Sequence, residues 1–326
     1  MHVLVVGGAG YIGSVTAAEL LDAGHRVSVY DSLVHGYRRA VDPRARFLRG
    51  SLQDLGALSV AFDAEPVDAV IHFAAFIEVG ESMEDPGRYF ANNVGGTIGL
   101  VNTMLAHGVR RLVFSSTAAV YGPPRYMPID EQHPLEPINV YGQSKLIVEQ
   151  MLTWYASQAD LRYVALRYFN AAGASDALGE DHAPETHLIP NLLTTALGRK
   201  PSVAIFGGDY PTPDGTCVRD YVHVLDLAQA HALALERTAS GSGVYNLGSG
   251  EGFSVSEVLQ AARRVSERSI PAEIEPRRPG DPPVLVAASA LARSELGWRP
   301  RHSEIEQIVA SAWHWRAAHP DGYSKE

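Results

Sequence analysis

Short apolar runs, rich in β-branched residues, recur through the first half of the chain at 2–6, 26–30, 45–49, 68–73, 110–115 and 161–167. Each reads as a strand. Between them lie helix-like patterns near 12–23, 54–63, 86–107 and 139–158. Asp85-Pro86 is a good helix start, with Asp as N-cap and Pro at the first helical position. Strands alternating with helices predict an α/β chain with a doubly wound parallel sheet. Past about residue 170 the alternation becomes irregular. Prolines and glycines thicken over 171–215 and 271–283, and 244–248 reads as one more strand and turn. This predicts a sheet domain over 1–170 with a returning segment near 220–250, and a smaller interleaved C-terminal lobe over 171–326.

The first strand runs directly into Gly7-Gly8-Ala9-Gly10-Tyr11-Ile12-Gly13, and a helical pattern follows to about Ala23, with Gly24 as its stop. Strand, glycines and helix in that order form a dinucleotide-binding arrangement of the Rossmann type. The glycines allow a tight turn and a close backbone approach to a pyrophosphate at a helix N-terminus. The second strand ends at Asp31, about 20 residues further on, where a carboxylate can bond a ribose 2′-hydroxyl. That acid would repel a 2′-phosphate and so favours NAD over NADP. Gly7, Asp31, Phe73-Ala74-Ala75 and Ser115-Ser116-Thr117 all fall at strand ends, so several loops are expected to converge on one crevice.

The 326 residues are ample for a large core, and 46% of them are hydrophobic. No apolar run reaches 18 residues, and the N-terminal stretch is too short and glycine-rich for a signal peptide. The net charge is −10 with no basic run, which argues against nucleic acid or a membrane as partner. A polyanionic ligand would have to be held by a few arginines and helix N-termini. The single Cys217 excludes an intrachain disulfide, no metal site is expected, and the cytoplasm is the default location.

On the helix expected over 139–156, Tyr141 and Lys145 lie four apart and share a face. A lysine charge there would favour the phenolate and bring Tyr141 toward general-base work near neutral pH. A glycine turn, a Ser-Ser-Thr at a strand end and Tyr-x-x-x-Lys together resemble the extended short-chain dehydrogenase/reductase family. Tyr168-Phe169-Asn170, Tyr210-Pro211-Thr212, Asp214-Gly215-Thr216, Val218-Arg219-Asp220-Tyr221 and Trp313-His314-Trp315 resemble its UDP-glucose 4-epimerase (UDP-galactose 4-epimerase) branch, nearly end to end.

The resemblance implies reversible C4 epimerisation of a UDP-hexose through a transient 4-keto sugar. Tyr141 is then the catalytic base, Lys145 bonds the nicotinamide ribose, and the Thr117 hydroxyl bridges sugar and phenol. The implied NAD contacts are Gly7, Gly10, Tyr11, Ile12, Gly13, Asp31, Ser32, Ser51, Leu52, Phe73, Ala74, Ala75, Asn92, Ser115, Tyr141, Lys145 and Tyr168. The implied UDP-sugar contacts are Thr117, Tyr141, Asn170, His187, Leu188, Phe206, Arg219, Arg278, Asp281 and Leu285. Arg219 and Arg278 would take the diphosphate, Phe206 would pack near the uracil, and Asp281 would bond the uridine ribose. The resemblance also implies a homodimer built on the helices near 86–107 and 139–158.

Several positions depart from the family pattern. Ile77 stands where many members have an NAD-contacting lysine, Ser51 where an aspartate is frequent at the adenine edge, and His187 where an asparagine is frequent. Leu285 occupies a wall position that is tyrosine or a small residue elsewhere, so activity on UDP-glucose and UDP-galactose is expected. Turnover of UDP-N-acetylhexosamines or UDP-pentoses stays open. A sugar-nucleotide 4,6-dehydratase would need an acid pair after Thr117, but Ala118-Ala119 follow it. A net dehydrogenase that releases NADH is the remaining enzymatic alternative.

Overall fold

The computed structural model describes residues 1–63, 65–278 and 280–323. Strands β1 (His2–Val6), β2 (Arg26–Asp31), β3 (Arg46–Arg49), β4 (Ala69–His72), β5 (Arg111–Thr117) and β6 (Arg162–Tyr168) appear where the apolar runs predict them. With a strand at Gly243–Leu247 they form a seven-stranded parallel sheet. Its order is β3-β2-β1-β4-β5-β6 and then the late strand. Because β1 pairs with both β2 and β4, the winding reverses there, and the crevice beyond its C-terminal end is where such sheets bind ligands.

The strands are continuous apolar runs because both faces are covered. Val3 and Val5 of β1 join Val29, Ile71 and Val113 on one face, beneath helix α1 (Tyr11–Asp22) and the helix Val224–Arg237. Leu4 and Val6 join Val70, Leu112 and Phe114 on the other. That face is covered by α2 (Leu55–Asp63) and the helices Gly96–Ala106 and Val140–Ala159. Each fully buried aliphatic side chain contributes roughly 1.5–3 kcal/mol, so a one-residue slip that exchanged the faces would be heavily penalised.

Two helix starts position the site. Asp85 Oδ1 accepts from Arg88 N at 3.1 Å, with Pro86 at the first helical position. The single helix expected over 86–107 is interrupted by a π-helical segment at Phe90–Gly95. Asn139 caps the long helix Val140–Ala159, its Oδ1 accepting from Gly142 N at 2.8 Å.

The second half builds its own core around Leu192, Leu193, Ile205, Val258 and Ile308, from the helices Leu188–Ala196, Val255–Ser266 and Ile305–Ala318. It also returns to the sheet twice. Strand Gly243–Leu247 pairs with β6, and Ala292, Leu296 and Trp298 pack into the β1-face core. Trp298 Nε1 donates to Asp226 O at 2.9 Å, which secures this second return. Among the described residues, no helix is long and apolar enough to cross a membrane.

Candidate active site

The glycines after β1 have separate reasons. Gly7 has φ +83°, and a Cβ there would lie 2.5 Å from Ala74 N. A Cβ on Gly13 would lie 2.3 Å from the Gly7 carbonyl oxygen, so this glycine lets α1 approach the turn closely. A Cβ on Gly10 would meet nothing nearer than that oxygen at 3.4 Å. Packing therefore does not require Gly10, and its open side faces the cavity. Gly10 is also the N-cap of α1 and supplies no side-chain cap. A helix N-terminus with free N–H groups, beside a turn with no side chain, suits a pyrophosphate. Asp31 closes the turn: its carboxylate accepts from Ala9 N at 3.0 Å and Leu33 N at 2.8 Å. Burial raises its pKa, and those two bonds partly offset the effect.

Across the crevice, β5 ends in Ser115-Ser116-Thr117 and faces the first turns of Val140–Ala159. Burial pushes the Tyr141 phenol up to about 12; the Thr117 hydroxyl works against this and the Glu78 carboxylate adds to it. Burial also takes the Lys145 ammonium down to about 7, opposed by Glu149. Lys145 Nζ donates to Ser115 O at 2.8 Å and stands 4.9 Å from the centre of the Phe114 ring. Burial is the largest of these influences on the phenol. Tyr141 lies in the first turn of its helix, where the helix dipole favours a phenolate.

Beneath this group is a buried polar network that sequence reasoning missed. The Arg167 guanidinium makes a two-point ion pair with Glu149, with Nε 3.0 and 3.1 Å from the two carboxylate oxygens. Ser116 Oγ donates to Glu149, Arg167 donates to the Tyr121 hydroxyl, and Tyr121 donates to Asn246 Oδ1. The one available signal was Glu149 standing four residues after Lys145 on the same helix. Asn93 was also missed. It bonds the backbone N and O of Phe76 at 2.9 and 3.0 Å and Ser144 Oγ at 3.0 Å. The π-helical segment thereby ties the loop after β4 to the helix carrying Tyr141, while its neighbour Asn92 lines the cavity.

The opposite wall carries the arginines. Arg219, mostly buried, pairs with Asp281 at 2.5 Å rather than with its neighbour Asp220. Asp220 faces inward instead and accepts from Ser249 N at 2.7 Å and Ala287 N at 3.0 Å. Arg278 lies 4.0 Å over the Phe206 ring. Asn170 Nδ2 donates to Asp220 O at 2.9 Å. Leu285, paired in register with Arg219, packs against the cluster of Val120, Tyr121, Ile129 and Leu146.

One cavity of about 1040 Å³ joins the two walls. Every residue assigned above to cofactor or sugar nucleotide lines it except Phe206, which is set back beneath Arg278.

The profile of the NAD dependent epimerase/dehydratase family matches residues 3–248. The chain belongs to this family. Among curated epimerases it is 51% identical over 327 residues to the UDP-glucose 4-epimerase of Lacticaseibacillus casei, covering 99% of each chain. Its fold superposes on the UDP-glucose 4-epimerase of Brucella ovis in complex with NAD with a TM-score of 0.94, at 47% identity and 96% and 98% coverage. For the Bifidobacterium longum UDP-glucose 4-epimerase in complex with NAD+ and UDP the TM-score is 0.92, at 38% identity and 99% and 100% coverage.

Within this epimerase/dehydratase framework the departures take physical form. Ile77 is exposed on the cavity rim beside Glu78, so no lysine charge is offered there. Ser51 Oγ accepts from Gln53 N at 3.2 Å, while its carbonyl takes the Tyr30 hydroxyl at 2.9 Å. His187 starts the helix Leu188–Ala196 and stands among Glu180, His182 and Glu185. Burial works against charge on both rings, but the carboxylates outweigh it and raise the pKa of each, that of His187 to about 11.

Proposed function

We propose that this chain interconverts UDP-glucose and UDP-galactose by inverting C4 of the bound hexose, with NAD retained between turnovers. The observation that carries this reading is the convergence of Tyr141, Lys145 and Thr117 on one side of a single cavity, with Arg219 and Arg278 on the other. A bound NAD would supply a hydride acceptor and donor for C4. Gly7, Gly10 and Gly13 accommodate its pyrophosphate, and Asp31 bonds its ribose.

Tyr141 removes the proton of the sugar 4-hydroxyl and later returns it to the opposite face. Thr117 passes a hydrogen bond between sugar and phenol. Lys145 orients the nicotinamide ribose, and the positive charge of a bound nicotinamide ring would act with Lys145 to lower the Tyr141 pKa. Arg219 and Arg278 hold the diphosphate, Asp281 and His187 bracket the uridine half, and Leu285 limits the space in which the 4-keto sugar turns. Ala118-Ala119 supply no acid for water elimination, which disfavours a dehydratase. The test is NMR product analysis of UDP-galactose incubated with purified protein and no added cofactor. UDP-glucose should appear without net NADH; net NADH, or no UDP-glucose, would reject the reading.

The sheet half is read as 1–170 with the segment near 220–250, and the sugar-nucleotide lobe as the rest of 171–326. The chain is read as a cytoplasmic homodimer. A lone, buried Cys217 suits a reducing compartment. The helices Gly96–Ala106 and Val140–Ala159 lie side by side, Tyr155 Oη donating to Asn102 Oδ1 at 2.8 Å, and Trp154 is 70% exposed on the second. Light scattering of the purified protein tests the dimer.

A further inference from the structure

We propose that Glu180, His182, Glu185 and His187 form a site for a divalent first-row transition cation, Zn2+ in the simplest case, in the wall of the cavity. Their ligand atoms all lie within 4.8 Å of one another. His187 Nδ1 stands 2.8 Å from Glu180 Oε1 and 3.3 Å from Glu185 Oε1. His182 Nδ1 stands 3.3 Å from Glu180 Oε1 and 3.9 Å from Glu185 Oε2. Two ligands about 2.1 Å from a tetrahedral Zn2+ are about 3.4 Å apart, so these separations bracket the edge of such a site.

A second observation separates this cluster from an ordinary ion-pair network. The Glu185 side chain is nine-tenths buried, yet its Oε2 makes no hydrogen bond. It lies 3.9 Å from the buried His182 Nδ1, whose own contact is the ion pair with Glu180. An unpartnered buried polar atom is costly, and here Glu185 Oε2 faces His182 Nδ1 across a gap too long for a hydrogen bond. A cation between them would satisfy both. Two imidazoles and two carboxylates suit Zn2+. All four come from one eight-residue stretch, so little chain has to be ordered to bring them together. Asp181, the second residue of that stretch, turns away to pair with Arg316 at 3.3 Å.

The site bridges the two halves. His182 meets the edge of Tyr11 of α1 at 6.4 Å between ring centres, and His187 opens the lobe helix Leu188–Ala196. A bound cation would therefore fix the fold of the segment 180–187 where it touches both halves. The proposal does not depend on the sugar nucleotide assigned above.

The test uses untagged full-length protein dialysed against Zn2+ alone, with metal content read by mass spectrometry and thermal stability read in parallel. The expected result is one retained equivalent and a higher Tm, reversed by EDTA. H182Q and E185Q should each weaken Zn2+ binding at least about tenfold while keeping the metal-free Tm. His187 is left unchanged because it belongs to the proposed substrate set. If either variant fails to fold, Co2+-loaded wild-type protein should show the visible absorption of tetrahedral nitrogen and oxygen ligation. Less than a tenth of an equivalent retained by wild type (about 0.1), retention unchanged in folded variants, or no such Co2+ band would leave the cluster as an ion-pair network and overturn the proposal.

Discussion

Lys145 Nζ donates to the carbonyl oxygen of Ser115 at 2.8 Å, so the ammonium is fastened to the end of β5 and not to the phenol one turn away. Burial brings its pKa down to about 7 despite Glu149, against about 10.4 in an unfolded chain. Between those values the unfolded state carries a proton that the folded state lacks, so stability from this group rises with pH across that window. Lys145→Met removes the dependence. In cofactor-free protein, the stability of the variant minus that of wild type should fall as pH rises from about 7 to about 10. Denaturant titrations across that range read the difference, and a flat difference would contradict the burial argument.

Tyr141→Phe keeps the ring and deletes the phenolic hydroxyl. Rate should drop by on the order of 10²-fold or more, the usual worth of a general base, while NAD and UDP still bind. Thr117→Val should cost less, because Tyr141 retains its proton-transfer role. Single-turnover reduction of bound NAD checks both, and near wild-type turnover by the Phe variant would eliminate Tyr141 as the base.

The glycine turn offers a contrast between two alanines. At Gly13 the added methyl meets a backbone oxygen at 2.3 Å, so Gly13→Ala should destabilise the fold by about 1–3 kcal/mol. At Gly10 the methyl fits among the protein atoms. Gly10→Ala should change stability by less than about 1 kcal/mol yet weaken NAD binding by about tenfold or more. Melting curves beside NAD titrations separate the two effects.

The Glu149–Arg167 pair is almost wholly buried, its side chains 6% and 5% exposed. Glu149→Leu strands a guanidinium and should cost about 3–5 kcal/mol. Removing both charges, with Arg167→Met added, should cost less than the single change. A double-mutant cycle measures the coupling, and additive losses would show that the pair does not act as a unit.

Leu285 lines the cavity next to Arg219. Wild type should turn over UDP-galactose fully and UDP-N-acetylglucosamine poorly. Leu285→Ala should raise the second rate while leaving the first within a few-fold. Equal wild-type rates on both sugars would show that the wall lies elsewhere.

The strands were legible because a sheet covered on both faces writes itself as unbroken apolar runs. The glycine turn was legible because strand, glycines, helix and Asp31 are close in sequence. The π-helical segment at Phe90–Gly95 was not, since it depends on Asn93 reaching Phe76 and Ser144, which only the fold brings together. Arg219 offered Asp220 as a neighbour, but its partner Asp281 is 62 residues away. Spacing places Tyr141 near a cation but does not reveal the burial that opposes its ionisation. The Glu180–His187 cluster escaped notice because its alternating acids and histidines match no familiar ligand spacing.

The sheet borrows its last strand from Gly243–Leu247 and packs Trp298 beneath β1, so neither half can be exchanged as a cassette. A recombination breakpoint near residue 170 would strip an edge from one parent's sheet and graft it onto another's. New sugar preferences on this scaffold are therefore expected to arise by substitution in place, at positions such as Leu285, and not by shuffling of whole lobes.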